Sequence, residues 1–406
     1  MQFSQIIGQK GPIDQLRSMV EQSRLSHALL FLGKEGTGAL PLALAFAQYL
    51  VCEKVQGRSG TNEQTPGPSL FGDIVAEIKE EHHFPPDSCG TCPSCVRASQ
   101  LIHPDIHFSY PVIPRKPGDK PLSTDYLSEW REFITQFPYG NVFDWLQFIG
   151  AENKQGNITA NECADILRKL NLKSFESGYK ILVMWMPEYL GNEGNKLLKL
   201  IEEPPAKTLF LLVAEEESKM LPTIISRTQL VKIPPIETGD IERSLIKRAG
   251  VAAEKARPLA SVAEGNYREA LFLLQHDEED WQALVRDWLN AILKNGPVAQ
   301  VKWVEEMGKL GREKQKQFLR YFNHLLEESI RMRAMGALAP EIPEKERDFA
   351  IRINKLATLS QQQAIIEEID RAAYYIERNA HGKMLFQALS IKLYHIIKDN
   401  SLILIN

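Results

Sequence analysis

A buried-strand pattern, His27 to Leu32 (HALLFL), passes straight into the glycine turn Gly33-Lys34-Glu35-Gly36-Thr37-Gly38 and from there into a helical pattern over Ala39 to Val51. Leu42, Ala43, Phe46 and Leu50 share one face of that helix, and strand, glycine turn and helix in this order open a βαβ unit. Alternation continues downstream, with a helix over Thr159 to Leu172, an apolar strand over Ile181 to Met186, a helix over Asn192 to Ile201 and a strand over Thr208 to Val213. Strands alternating with helices predict a parallel α/β sheet covered on both faces.

A chain of 406 residues exceeds what one hydrophobic core usually organises, so two or three domains are expected. Ile13, Leu16 and Val20 place a first helix within residues 11–24. From Glu53 to Pro86 apolar periodicity fades, apart from an amphipathic piece around Phe71 to Ile78, and the segment reads as a long, mobile surface insertion. Ile106 to Ile113 alternates as a strand does, Pro114 to Lys120 breaks it, and an irregular, aromatic-rich stretch runs to Asn157. Beyond Pro234-Pro235 only helical patterns follow: three short ones between Thr238 and His276, then a set over Glu279 to Ile403 in which Ile365, Ile369, Ala372, Ala373 and Ile376 recur at helical spacing.

Several function classes are disfavoured at this stage. Lys+Arg 48 against Asp+Glu 52 leaves a net charge of −4, so contact with DNA must be local or pass through partners. No run approaches the roughly 18 to 20 apolar residues that span a bilayer, no basic region followed by an apolar stretch opens the chain, and a cytoplasmic protein without a membrane partner is expected. A phosphate-binding loop G-x-x-x-x-G-K-[ST] cradles phosphate on backbone N–H groups, with a Lys on the β/γ-phosphates and a hydroxyl on Mg²⁺. Gly33 and Gly38 keep its spacing, yet Ala39 and Leu40 stand where the Lys and hydroxyl belong, and Lys34 lies at the opposite end. The acidic residues that hold Mg²⁺ at a later strand end are replaced by Trp185-Met186-Pro187, with Glu188 beyond the proline. ATP hydrolysis by this chain is therefore not expected; whether ATP or ADP binds at Gly33, Gly36 and Gly38 is left open.

These residues carry a resemblance. Ile7-Gly8-Gln9, Arg24-Leu25-Ser26-His27-Ala28, the glycine turn, Cys89-Gly90-Thr91-Cys92-Pro93-Ser94-Cys95, His103-Pro104-Asp105, Asn195 to Pro205 (NKLLKLIEEPP) and Leu221 to Arg227 (LPTIISR) resemble the delta-prime subunits of the bacterial DNA polymerase III clamp loader, within the AAA+ family. Glu264 to Leu271 (EGNYREAL) and Ile376 to Ala380 (IERNA) extend it less sharply. The resemblance implies an AAA+ module over 1–235 with an inserted zinc-binding segment at about 52–97, a small helical lid over 236–277 and an all-α collar over 278–406 that joins subunits into a ring. It implies a stator-like subunit of the polymerase holoenzyme that does not hydrolyse ATP. Its partners would be gamma/tau and delta subunits and, through the complex, the sliding clamp and primed DNA. A Ser-Arg-Cys motif of the family places an arginine finger in a neighbour's ATP site; here it reads Ser226-Arg227-Thr228, with the arginine kept. Arg268 falls at the family's second sensor arginine, where a nucleotide role and a structural one are both open.

Five cysteines include three within seven residues, poor for disulfides and suited to a metal. Cys89-x₂-Cys92-x₂-Cys95 with Cys52 offers four thiolates for structural Zn²⁺, with an iron–sulfur cluster or a metal-free cluster as the alternatives and His82, His83 and His103 as other candidates for the fourth ligand. Cys163, His27 and Glu202-Glu203 read as structural, and Trp281, Trp288 and Trp303 as core or collar contacts. The family departs from this chain in a shorter spacing after its first cysteine, where 36 residues intervene between Cys52 and Cys89, and in lacking 114–157. Two other functions compete: an ATP-hydrolysing gamma/tau-type subunit, against which Ala39-Leu40 speaks, and a zinc-dependent nucleic-acid adaptor, which needs a basic stripe where only Arg97 is close.

Overall fold

The apolar runs form the centre of a parallel sheet. A computed structural model describes residues 1–57, 84–116, 118–151, 154, 156–275, 281–336, 344–377 and 380–399, which divide into two compact units, Met1–Phe272 and Leu273–Asn406. The first contains α1 (Lys10–Glu21), β1 (Ala28–Leu32), α2 (Ala39–Val51), α3 (Pro93–Ser99), β2 (Ile106–Ser109), α4 (Leu127–Gln136), α5 (Val142–Phe148), α6 (Ala160–Leu170) and β3 (Lys180–Trp185). It continues through α7 (Asn195–Glu202), β4 (Thr208–Ala214), α8 (Pro222–Ile225), β5 (Gln229–Lys232), α9 (Thr238–Ala249), α10 (Ala253–Val262) and the start of α11 (Tyr267–Gln275).

The strands lie in the order β2-β3-β4-β1-β5, every neighbouring pair parallel. Successive side chains of a strand point to opposite faces, so Phe31, Val183 and Leu211 enter one core with α2 while Leu30, Met184 and Phe210 enter another with α6 and α7. Both faces being covered explains why β1, β3 and β4 are apolar throughout. The fold class is the one expected, a parallel sheet with flanking helices followed by a helical region. β1 lies between β4 and β5, where the chain's connections diverge to either side, and the glycine turn leaves its carboxyl end at this switch point, where ligands of open α/β sheets bind.

Four expectations are corrected. His27 is exposed just before β1, with only its carbonyl engaged, by Phe210 N–H at 2.8 Å. The strand expected over Ile106 to Ile113 ends at Ser109. Most consequentially, the stretch to Asn157 is not irregular: α4 and α5 form, and Trp130 of α4 stacks on Tyr110 at 4.0 Å between ring centroids, with Trp145 of α5 edge-on to both rings. The Trp145 indole N–H donates to the Pro111 carbonyl at 2.7 Å, so this segment extends the core on the α2 face of the sheet with a cluster of aromatic rings. Finally, α3 and the edge strand β5 appear where no element was assigned. The amphipathic piece around Phe71 to Ile78 lies outside the described residues.

The second unit holds the remainder of α11, α12 (Trp281–Asn290), α13 (Gly296–Met307), α14 (Arg312–Met335), α15 (Glu344–Leu356), α16 (Leu359–Glu377) and α17 (Gly382–Lys398). Trp288 and Trp303 stack at 4.9 Å in its core, with Trp281, Phe318 and Phe386 around them. No helix among the described residues is long and apolar enough to cross a membrane.

Trp130→Ala removes the centre of the aromatic cluster and should cost about 3–5 kcal/mol, read as a lowered urea midpoint at unchanged slope, whereas Leu172→Ala, exposed on the same unit, should stay within about 0.5 kcal/mol.

Candidate metal centre and degenerate phosphate loop

Two candidate sites sit at opposite ends of α2. At its carboxyl end the helix stops at Cys52, which is extended and fully buried. Cys92 caps α3, its sulfur accepting the Cys95 N–H, and Pro93 follows at the first helical position where its missing N–H costs nothing. The Cys89 N–H donates to Cys52 Sγ at 3.3 Å and the Cys92 N–H to Cys89 Sγ at 3.3 Å. All four sulfurs lie within 4.8 Å of one another. The Cys95 thiol's hydrogen bond pulls Cys52 down to about 4, and the same contact, with burial, drives Cys95 upward. The cluster can hold a metal ion.

The neighbouring groups have other work. His103 accepts the Asp105 N–H on Nδ1 at 3.1 Å and faces Glu176 through Nε2 at 3.1 Å. Burial opposes the charge of Asp105, but N–H groups of Phe175, Ser177 and Glu176 hold its carboxyl below the usual range. His82 and His83 lie outside the described residues. Arg97 of α3 pairs with Glu176 through Nε and Nη2. Cys163 is buried against α7, and burial pushes its thiol up to about 11.

At the amino end, Gly36 and Gly38 take φ of +70° and +91°, conformations that glycine adopts without strain. The turn is held by Thr37, whose hydroxyl donates to the Lys34 carbonyl at 2.7 Å, and by Gln9, whose amide donates to the Thr37 and Pro234 carbonyls at 2.9 and 2.7 Å. Ala39 and Leu40 are buried. The space around the turn is a cavity of about 20 Å³ lined by Gly33 to Gly36, Gly38 to Pro41, Pro138 to Gly140 and the ends of β3 and β4. Glu188 is turned away, its carboxylate accepting the Glu215 and Glu216 N–H groups at 2.6 and 2.9 Å, while burial raises its pKa.

Arg268 makes a bidentate ion pair with Asp144 at 2.5 and 2.6 Å. Glu35 accepts from Asn141 at 2.8 Å and from Asn266 at 3.3 Å. Sequence reasoning did not single out Asp144, Asn141, Tyr139 or Asn266; the Asn141-x-x-Asp144 capping box was the available signal for the first two. Arg227 lies in the turn after α8, a third exposed, with Nη1 donating to the Thr223 carbonyl at 2.9 Å and to Ser226 Oγ at 3.1 Å. It also pairs with Glu202 at the end of α7, a contact the sequence pattern did not indicate.

A family model described as DNA polymerase III, delta subunit matches residues 8–67 and 70–237. The DNA polymerase III subunit delta' of Bacillus subtilis (strain 168) is 27% identical over 263 residues, 65% of this chain and 58% of the relative. The subunit delta' of Escherichia coli (strain K12) is 24% identical over 273 residues, 66% of this chain and 60% of the relative. The subunit tau of Bacillus subtilis is 25% identical over 279 residues, 67% of this chain and 37% of the relative. The matched region thus spans less than two thirds of the length of each relative.

Proposed function

The chain belongs to the DNA polymerase III delta-subunit family, and from that premise we propose that it is the delta-prime, stator-like member of a clamp loader, which supports ATP-driven loading of the sliding clamp onto primed DNA without hydrolysing ATP itself. One observation carries the reading: the glycine turn keeps its strand–helix setting while Ala39 and Leu40, both buried, occupy the positions of the phosphate lysine and the metal hydroxyl. A gamma/tau-type ATPase needs both groups. Residues 1–235 act as the AAA+ module, 236–277 as the lid and 278–406 as the collar that binds gamma/tau and delta subunits. Exposed Val298, Met384 and Ile391 of the second unit are apolar surface available for such contacts.

Arg227 is the arginine finger, acting on ATP bound by a neighbouring subunit. Its planar, permanently charged fork suits the oxygens of a transferring phosphoryl group, and Ser226 and the Thr223 carbonyl hold that fork at the module surface. Cys52, Cys89, Cys92 and Cys95 hold Zn²⁺: tetrahedral zinc with sulfur at about 2.3 Å sets sulfur–sulfur separations of roughly 3.8 Å, and Cys89 and Cys95 are 3.8 Å apart. Bound there, zinc contributes folding energy and fastens α3 to the end of α2.

In a reconstituted loader in which only the site beside this subunit can hydrolyse, Arg227→Ala should slow clamp- and DNA-stimulated turnover by about 10³ to 10⁵, and Arg227→Lys should recover little of it. Unchanged turnover with Arg227→Ala would leave this chain a scaffold alone. Metal analysis after metal-sparing purification should give one zinc per chain, lost in Cys92→Ala; a full complement of zinc in that variant would show the ligands misassigned.

A further inference from the structure

The aromatic segment that carries α4 and α5 reaches the glycine turn. Tyr139 lies so close to Gly38 that a Cβ there would stand 2.9 Å from its ring, and its hydroxyl accepts the Ile7 N–H at 2.9 Å. Asn141 reaches Glu35 inside the turn, and Asp144 takes the fork of Arg268. From the other side Asn266 presses on Gly36, and the Tyr267 N–H donates to the Gly36 carbonyl at 3.1 Å. Glycine turn, aromatic segment and the start of α11 therefore meet in one hydrogen-bonded contact.

We propose that the segment Pro138 to Asp144 is a built-in occupant of the former nucleotide site, joining the glycine turn to helices α9 to α11 in the way a bound nucleotide would, so that this subunit keeps one conformation whatever the nucleotide level. Three properties of the contact lead there. First, the remaining cavity of about 20 Å³ holds about one water, against the several hundred Å³ of a ligand pocket. Second, Asp144 offers Arg268 two anionic oxygens in the fork geometry that arginine also uses on phosphate, so the arginine's anion is already supplied from within. Third, Glu35 brings a carboxylate to the cavity where phosphates would enter, and like charges repel at such range. The proposal stands apart from the role of Arg227: it concerns the isolated chain, and either can fail while the other holds.

Titration of the full chain with a fluorescent N-methylanthraniloyl ADP and Mg²⁺ should give no saturable binding into the millimolar range, and ADP should leave the amide exchange of residues 238–272 unchanged. Saturable binding that protects the glycine-turn amides overturns the proposal. Arg268→Gln keeps the Asn141–Asp144 cap but breaks the tie, and should speed exchange in α9 and α10 by about tenfold or more while β1, β3 and β4 exchange as before. Exchange in α9 and α10 equal to the parent's would also overturn it. Should that variant not fold, the nucleotide titration of the parent chain decides.

Discussion

The molecule's first unit depends on burying one helix completely. All thirteen residues of α2 are buried, and a buried helix must satisfy at each end the backbone groups that have no partner within it. At the amino end Pro41 removes one N–H from the problem, and the Gly38 carbonyl accepts from Leu42 at 3.0 Å. At the carboxyl end Gln56 folds back, its amide donating to the Leu50 carbonyl at 2.6 Å, and Cys52 turns into the cysteine cluster. Both candidate sites are thus the two ends of one element, which the sheet holds on one side and the aromatic segment covers on another.

That dependence explains what the sequence made legible. β1, β3 and β4 read directly because a strand buried on both faces has no polar positions to blur its pattern. β5 escaped because Gln229, Leu230 and Lys232 are exposed and only Val231 is buried, leaving four residues with no period to detect. In α4, Trp130, Phe133 and Ile134 do fall at helical spacing, but ten residues followed by Pro138-Tyr139-Gly140 and a seven-residue α5 are too short for periodicity to separate from loop.

The sites divide along the same line. Cys89, Cys92 and Cys95 are recognisable because a metal draws several donors from one short turn, so the chemistry is written locally. The partner of Arg268 is 124 residues away, and the Glu35–Asn266 contact spans 231; nothing local encodes either. Glu202 pairs with Arg227 across 25 residues, a contact set by how α7 and the turn after α8 pack rather than by either segment's pattern.

The erosion of the phosphate loop is coherent with this packing. Positive φ at Gly36 and Gly38 is required by the turn from β1 into α2, independent of any nucleotide, so the glycines persist where the lysine does not. Position 39 is now within the buried end of α2, lined by Tyr139 and the strand ends. An ammonium there would lose its hydration with no phosphate to meet it, a cost of several kcal/mol. Asp144 is already committed to Arg268, and Glu35 to Asn141 and Asn266. In the arrangement proposed above, Pro138 to Gly140 line the same cavity as Ala39 and Leu40, and those two buried apolar side chains complete the core there.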